Sequence, residues 1–216
     1  MANAEFSEKQ YTPQQQKLAA LETKLPAPLA NRAAALALSV VLMAAAFVGF
    51  GGAKVRTRYN TAKQWFTVGV AADNGYSLSE ELTVRANTAA NVITTAGNTL
   101  GADNAQLLAA KDALETFDEE LESVSAGKNR MHALCQANAA LGSAIDQLYA
   151  KLQETAENPL KMGAVQGQYG QFNSAGSIIA NLSYNTAVYE YQKDVGGFPA
   201  SLLGALSGVK EVEAFV

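Results

Sequence analysis

The chain has one cysteine, Cys135, and one histidine, His132, among its 216 residues. A single cysteine cannot form an internal disulfide, so cysteine usage does not indicate a compartment. With one histidine, neither a His-based metal site nor a Ser-His-Asp triad is easily assembled. His132 and Cys135 are three residues apart, as two ligands on one helical face would be, but any further ligand would have to be a carboxylate. We therefore expect no metal, cofactor or catalytic centre, and we expect Cys135 to be a small buried apolar residue.

The chain is also poor in helix breakers and in basic residues. It has five prolines, and none lies between Pro28 and Pro159, so a long central stretch is free to be helical.

Residues 54–216 carry 12 Lys or Arg against 17 Asp or Glu. This acidic balance argues against a nucleic-acid partner, since nucleic-acid binders present a basic face.

What the sequence does have is an uncharged run of 21 residues from Ala33 to Ala53, between Arg32 and Lys54. A hydrocarbon core about 30 Å thick needs roughly 20 helical residues to cross it. The one hydroxyl in the run, Ser39, can bond back to a helical carbonyl. The run predicts a transmembrane helix over 33–53. The alternatives are a buried helix of a soluble domain or a signal peptide, and the 32 preceding residues and the length of the run argue against the signal peptide.

The organisation predicted from the run is a polar N-terminal tail (1–32), the transmembrane helix (33–53) and a domain over 54–216. We expect the domain to be all-α, an antiparallel bundle of four to five long helices, because capping patterns and breaks recur along it. The expected helices run from the capping box at Ser77 and Glu80 to about Leu100, from Asp103 and Gln106 to about Ser125, from about Lys128 to Ala156, and from about Ala164 to Val195. Asn158 and Pro159 form a predicted break, and Gly196 and Gly197 end the last helix.

Two of these helices carry double sevenfold series of apolar residues, which is typical of a packed seam. The series are Leu107, Leu114, Leu121 with Ala110, Phe117, Val124 on one helix, and Leu134, Leu141, Leu148 with Met131, Asn138, Ile145, Leu152 on the next. Asn138 is the one polar member. It either lies in the seam, where it would fix register, or is rotated out of it.

An acidic cluster lies on the first of these two helices. Its members are Glu115, Asp118, Glu119, Glu120 and Glu122. It could attract a calcium ion or a basic partner, but a helix cannot wrap around an ion as a binding loop does. We interpret the cluster as a solvated face.

A tetrapeptide occurs twice, as Tyr59-Asn60-Thr61-Ala62 and as Tyr184-Asn185-Thr186-Ala187, and Phe198-Pro199 follows the second copy. On these residues the chain resembles the bacterial LemA family, whose members have an N-terminal membrane helix followed at once by a Tyr-Asn pair and a helical bundle. The family's closing signature is matched by Tyr184, Asn185, Tyr189, Phe198, Pro199, Leu202, Leu203, Gly208 and Phe215. The chain departs from the family where a basic pair would precede a helix start, since Arg85 and Asn87 stand there. The resemblance implies a membrane-tethered bundle that is not an enzyme.

The expected function is a non-enzymatic, single-pass scaffold or adaptor in the bacterial cell membrane. Its expected partners are the lipid bilayer and other membrane proteins or further copies of itself, and not nucleic acid. The alternative is a membrane-anchored sensor that binds a small ligand between its helices. A sensor would need a signalling segment across the membrane, and we expect none in so short a tail. A hydrolase is disfavoured for want of paired titratable groups.

Chain geometry predicts that both Tyr-Asn copies, with Phe198 and Pro199, lie at the membrane-proximal base of the bundle. We further expect the apolar positions from Leu202 to Phe215 to cap this base or to lie against the bilayer. Four basic residues follow the run closely, against Lys24 and Arg32 before it; they are Lys54, Arg56, Arg58 and Lys63. The positive-inside rule therefore favours a cytoplasmic C-terminal domain.

Overall fold

The structure is a computed structural model that describes residues 32–155 and 159–216, with side chains described for 33–155 and 162–216. The predicted polar tail up to residue 31 and Asn158 of the predicted break lie outside the described residues. The described residues contain no strand. Their α-helices, in chain order, are α1 (Arg32–Thr67), α2 (Leu78–Leu100), α3 (Ala105–Ser125), α4 (Met131–Thr155), α5 (Pro159–Asn181), α6 (Tyr184–Val195) and α7 (Ala200–Leu206). The all-α prediction is confirmed.

The chain divides into two compact units, the second of which comprises Gly52–Val216. In the first unit, the described side chains from residue 33 onward are exposed, with Ala34 and Gly51 half-exposed. Ser39 Oγ donates to the Leu36 carbonyl at 2.8 Å, the back-bond expected from the sequence. Within the described residues, α1 alone is long and apolar enough to cross a membrane, with an 18-residue window of mean hydropathy 2.4 that contains no buried residue. By length and composition, this helix meets the requirement for a span.

In the second unit, four helices form a bundle. α2 packs against α3, α4 and α5, and α3 packs against α4. The largest fully buried side chains in this bundle include Leu78, Leu82, Val92, Leu107, Phe117, Leu134, Leu141, Ile145, Leu148, Leu152, Val165 and Phe172. Leucine and phenylalanine at helical spacing thus form one continuous core between the four helices.

The two predicted seams are buried to different extents. On α4 both series are buried, and Asn138 lies among them with its Oδ1 buried and without a partner in the described part of the chain. On α3 the line through Ala110, Phe117 and Val124 is buried, whereas Leu114 and Leu121 are only half-buried at the edge of the core. The difference arises because α3 packs closely against α2 and α4 only, so one side of its apolar stripe stays near solvent.

Two predicted helix starts need correction. The Ser77 cap of α2 is confirmed, since Ser77 Oγ accepts from the Glu80 N–H at 3.3 Å. α3, however, is capped by Asn104 and not Asp103, because Asn104 Oδ1 accepts from the N–H groups of both Gln106 and Leu107 at 3.1 Å. α4 begins at Met131 and not at Lys128.

The predicted single helix from Ala164 to Val195 is wrong in its start and in its continuity, since α5 already begins at Pro159. The chain breaks between Asn181 and Tyr184, so that α5 and α6 are separate helices. At the break, Ser183 donates its N–H to Asp73 Oδ2 at 3.0 Å and its hydroxyl to Asp73 Oδ1 at 2.6 Å. The Asp73 carboxylate thus binds a backbone donor at the helix junction. Asp73 is 110 residues away in sequence, so no local pattern indicated the break.

Candidate functional site

The two Tyr-Asn-Thr-Ala copies lie in one interface, where the end of α1 packs against α6. The ring centroids of Tyr59 and Tyr191 are 6.1 Å apart, and those of Phe66 and Tyr184 are 6.2 Å apart. Tyr59 precedes Phe66 on α1, whereas its partner Tyr191 follows Tyr184 on α6. The two helices are therefore antiparallel. The structure therefore brings both predicted motifs together, although their tyrosines pair with other aromatic residues and not with each other.

Asn185 and Tyr184 bind residues 209–216, here called the C-terminal segment, which has no helix or strand of its own. Asn185 Nδ2 donates to the Phe215 carbonyl at 2.9 Å, and the Phe215 N–H donates to Asn185 Oδ1 at 2.7 Å. The Tyr184 hydroxyl donates to the Glu213 carbonyl at 2.8 Å. The main-chain groups of the segment thus have two adjacent side chains of α6 as hydrogen-bond partners, where a strand would have the main chain of a neighbouring strand.

Two further residues of α6 extend this arrangement. Gln192 Nε2 donates to the Val212 carbonyl at 2.8 Å, and the Tyr191 hydroxyl donates to the Lys210 carbonyl at 3.3 Å. All of these partners on the segment are main-chain atoms. The segment adds apolar contact of its own, because Ala214 is buried and the side chains of Val212 and Phe215 pack against the core. Part of the predicted apolar C-terminal stretch therefore caps the bundle.

The segment also reaches the start of α4. Glu213 Oε2 accepts from the Met131 N–H at 2.9 Å, which places a carboxylate at the positive end of that helix. His132 Nδ1 contacts the Val216 carbonyl, and His132 Nε2 lies 2.9 Å from Gln136 Nε2. The single histidine is therefore engaged in contacts to the protein. A cap supplied from 82 residues away explains why the start of α4 was predicted wrongly.

Burial sets the chemistry of the tyrosines at this site. Burial, with the nearby Glu213 carboxylate adding to it, raises the pKa of Tyr184 well above its ordinary value. Burial also raises the pKa of Tyr191. Both hydroxyls are therefore protonated hydrogen-bond donors at neutral pH, which suits the binding of carbonyl groups and not proton transfer.

The two copies of the tetrapeptide differ in their contacts. Asn60 is exposed, whereas Asn185 is half-buried against the C-terminal segment. Thr61 Oγ1 donates to the Thr57 carbonyl one turn earlier in α1. The two copies thus lie in the same interface, but their asparagines have different roles.

Phe198 and Pro199, the remaining predicted site residues, lie at the turn into α7 and are joined by a cis peptide bond. Phe198 is 86% exposed, and Pro199 is half-buried. The other side of α7 packs against α1: Leu203 and Gly204 are buried, and a Cβ on Gly204 would stand 3.7 Å from Val55 Cγ1. Phe198 therefore faces outward while α7 itself is fixed to α1.

A cavity of about 500 Å³ lies beside the α1 to α6 interface. An ion pair between Arg58 and Asp194 joins the two helices near it. The cavity is lined by Lys54, Thr57, Arg58, Thr61, Ala62, Trp65, Ala187, Glu190 and Tyr191. Its lining combines charged side chains of both signs with two aromatic side chains, Trp65 and Tyr191.

Arg85 is a buried cation inside the bundle that sequence reasoning did not identify as such. Its Nη1 donates to the Phe172 carbonyl at 3.0 Å, and its guanidinium lies 3.8 Å from the centroid of the Phe172 ring. Its Nε is buried without a partner among the described residues. Burial lowers the pKa of Arg85, and the charge of Asp146 opposes that shift. In the sequence, Arg85 lies one turn from both Leu82 and Ala89, on the apolar face of α2. This position could have indicated that its side chain is buried.

The described residues contain no group of three His, Cys, Asp or Glu side chains that could hold a metal ion. Cys135 is half-buried and not fully buried as expected, and its burial raises the pKa of its thiol. In the acidic cluster, Glu115, Asp118, Glu119 and Glu122 are exposed, while Glu120 is half-buried and pairs with Arg130. The chemistry of this site is the binding of main-chain groups, both by neutral side chains of α6 and by the carboxylates of Asp73 and Glu213.

Sequence reasoning missed four residues that complete this site, namely Asp73, Tyr191, Gln192 and Glu213. Asp73 and Glu213 act across more than 80 residues, and nothing local distinguishes them from other surface carboxylates. Gln192 lies two turns beyond the Tyr-Asn pair on the same face of α6, eight residues after Tyr184 and seven after Asn185, and this spacing could have suggested it. No family model, no curated protein and no solved structure matches this chain.

Proposed function

We propose that this protein is a non-enzymatic, single-pass membrane protein of the LemA type, with a helical domain that serves as a scaffold or adaptor for other envelope proteins. The observation that carries the proposal is the exposed apolar part of α1. A run of this length without a charge is unsuited to water and suited to hydrocarbon. The helix continues past the run to Thr67, where Phe66 packs into the core of the second unit.

The LemA resemblance supports the same proposal through the roles of its motif residues. Tyr184 and Asn185 bind the C-terminal segment, and Tyr59 packs on Tyr191. These contacts are structural, and none of them presents a nucleophile or a proton-transfer group.

The charges that flank the run support a proposal for the orientation. Lys54, Arg56 and Arg58 are exposed on α1 directly after it, and the positive-inside rule assigns such a cluster to the cytoplasm. We propose a cytoplasmic C-terminal domain in a bacterial cell membrane. A membrane-impermeant thiol reagent should fail to label Glu119→Cys in intact cells in a Cys135→Ser background, and rapid labelling would reverse the orientation.

Membrane anchoring is tested by alkaline extraction of membranes from cells that express the full chain. The chain should stay in the pellet, and Leu42→Arg should release it, because an arginine at the centre of a span costs roughly 2.5–3.5 kcal/mol. Leu108→Arg, at an exposed position of α3, is the matched control and should leave the chain in the pellet. Release of the unmodified chain would refute the anchor.

A ligand sensor is the second candidate, and the cavity beside α1 and α6 favours it, because about 500 Å³ is within the range of small-molecule sites. The two candidates differ in what accompanies the protein on purification from detergent-solubilised membranes. A scaffold should retain defined envelope proteins, and this retention should be unaffected by Ala187→Trp, which would fill the cavity. A sensor should instead release a small molecule on denaturation and lose it in that variant.

A further inference from the structure

We propose that α7 is a second membrane contact, with its exposed apolar side chains inserted in the interfacial layer of the bilayer. The side chains concerned are Phe198 at the turn into the helix and Leu202 and Leu206 on it. This inference rests on the proposed membrane anchoring of α1, and it adds a lipid-binding surface that is separate from the span.

The first observation is the exposure of these three residues. Phe198 is 86% exposed, Leu202 51% and Leu206 61%. Leu202 and Leu206 are one helical turn apart on α7, and Phe198 lies in the turn that precedes it. Leu203 and Gly204 are buried. α7 thus exposes apolar side chains on a face that a surface helix in water would make polar.

The second observation is the place of α7 along α1. A Cβ on Gly52 would stand 2.5 Å from Ser207 Oγ, and Gly204 approaches Val55. Gly52 belongs to the final residues of the apolar run that ends at Ala53. If that run spans the bilayer, the residues that touch its last turn lie at the level of the membrane surface.

The charged residues at the end of the run fit this level. Lys54 and Arg56 flank Val55, which Gly204 of α7 approaches, and both are exposed. Long basic side chains near a span end can extend to the headgroups. Lys210 and Glu211 line one groove with α7 and offset each other, so the basic charge at this level comes from α1.

Size argues for lipid over a protein partner. A helix of seven residues is about 10 Å long, and an aromatic side chain buries roughly 150–250 Å². Three side chains therefore offer less than the about 800 Å² that each partner contributes to a standard protein interface. A bilayer needs no such minimum, because its apolar layer is continuous around the exposed face.

The test uses the full chain, reconstituted in vesicles of phosphatidylcholine and phosphatidylglycerol, with an environment-sensitive fluorophore on single cysteines in a Cys135→Ser background. The three positions are Leu202→Cys on α7, Leu42→Cys in the run and Glu119→Cys on α3. Brominated acyl chains quench fluorophores that touch the hydrocarbon. We expect blue-shifted, bromine-quenched emission at positions 202 and 42, and red, unquenched emission at 119.

The outcomes separate this inference from the anchor on which it rests. Quenching at 42 without quenching at 202 would overturn the α7 contact while leaving the anchor intact. A blue shift at 202 without quenching would also overturn it, because a protein surface and not lipid would then cover α7. No quenching at 42 would refute the anchor itself, and with it the inference.

Discussion

The four-helix bundle and the region where α6 binds the C-terminal segment are held together by different interactions. In the bundle, leucine and phenylalanine side chains from α2 to α5 pack into one apolar core. At α6, Tyr184, Asn185 and Gln192 bind the main chain of residues 212–215. The bundle is stabilised by burial, which is non-directional, whereas the segment depends on hydrogen bonds with fixed partners.

This difference determines how each region should respond to change. A buried leucine contributes through the area and volume that it fills, so its removal weakens the whole cooperative unit. A hydrogen-bonding side chain at an edge holds one local element, so its removal should first free that element. Substitutions in the two regions should therefore differ in how much of the molecule they disturb.

Leu141→Ala should destabilise the protein most. Leu141 is fully buried on α4, and loss of such a side chain costs about 2–5 kcal/mol through lost burial and the cavity left behind. The free energy of unfolding in urea, measured on the detergent-solubilised full chain, checks this. Leu108→Ala, at a position 46% exposed on α3, should stay within about 0.5 kcal/mol. Equal urea midpoints for the two variants would show that the core is placed wrongly.

Asn185→Ala should release the C-terminal segment. The change leaves the N–H and C=O of Phe215 without their partners, and an unpaired buried polar group costs about 1–3 kcal/mol. Hydrogen exchange at Phe215 should accelerate, and so should exchange at Met131, whose N–H is bound by Glu213 of the segment, while exchange in α2 changes little. Asn60→Ala alters the exposed equivalent in the other tetrapeptide copy and is the matched control. Similar behaviour of the two variants would contradict the asymmetry between the copies.

Tyr184→Phe should have a smaller effect, because it keeps the buried ring and removes only the hydroxyl that donates to the Glu213 carbonyl. We expect a loss of about 0.5–1.5 kcal/mol in the free energy of unfolding. Tyr189→Phe, at an exposed position on the same helix, should be neutral. A larger loss than for Asn185→Ala would indicate that the tyrosine carries the contact with the segment.

The smallest expected effect is a pH dependence at Glu120. Hydrogen bonds from the Arg130 guanidinium lower the pKa of Glu120, and the charges of Arg130 and Lys128 act in the same direction. A carboxyl whose pKa is lowered by folding stabilises the folded state above its unfolded pKa, near 4.3, and loses that contribution as pH falls through the folded pKa. The urea midpoints of the unmodified chain and of Glu120→Gln should therefore converge on acidification. Glu119→Gln, which alters the neighbouring exposed carboxylate outside the pair with Arg130, is the matched control.

The contrast between the regions also explains how much could be predicted from the sequence. The bundle was predictable, because Leu134, Leu141 and Leu148 recur at seven residues and directly indicate the buried face. Leu114 shows the limit of this reasoning. Its sevenfold spacing predicted a buried position, but spacing does not indicate which helices pack against it, and Leu114 is only half-buried. The break before Tyr184 and the start of α4 depend on Asp73 and Glu213, which act over long sequence distances. Such contacts leave no periodic trace, so the architecture of the α6 region could only be seen in the structure.

The buried guanidinium of Arg85 lies close to two glycines that are far from it in sequence, Gly142 and Gly176. A Cβ on Gly176 would stand 2.2 Å from Arg85 Nη1, and one on Gly142 would stand 2.9 Å from Nη2. A side chain at either glycine is therefore compatible with the fold only if residue 85 becomes smaller or moves outward. Single substitutions at 142 or 176 should be poorly tolerated, while the same changes combined with a shorter residue at 85 can be accommodated. These three positions are therefore expected to vary together among proteins that share this bundle, which gives a recognisable pattern of correlated substitution.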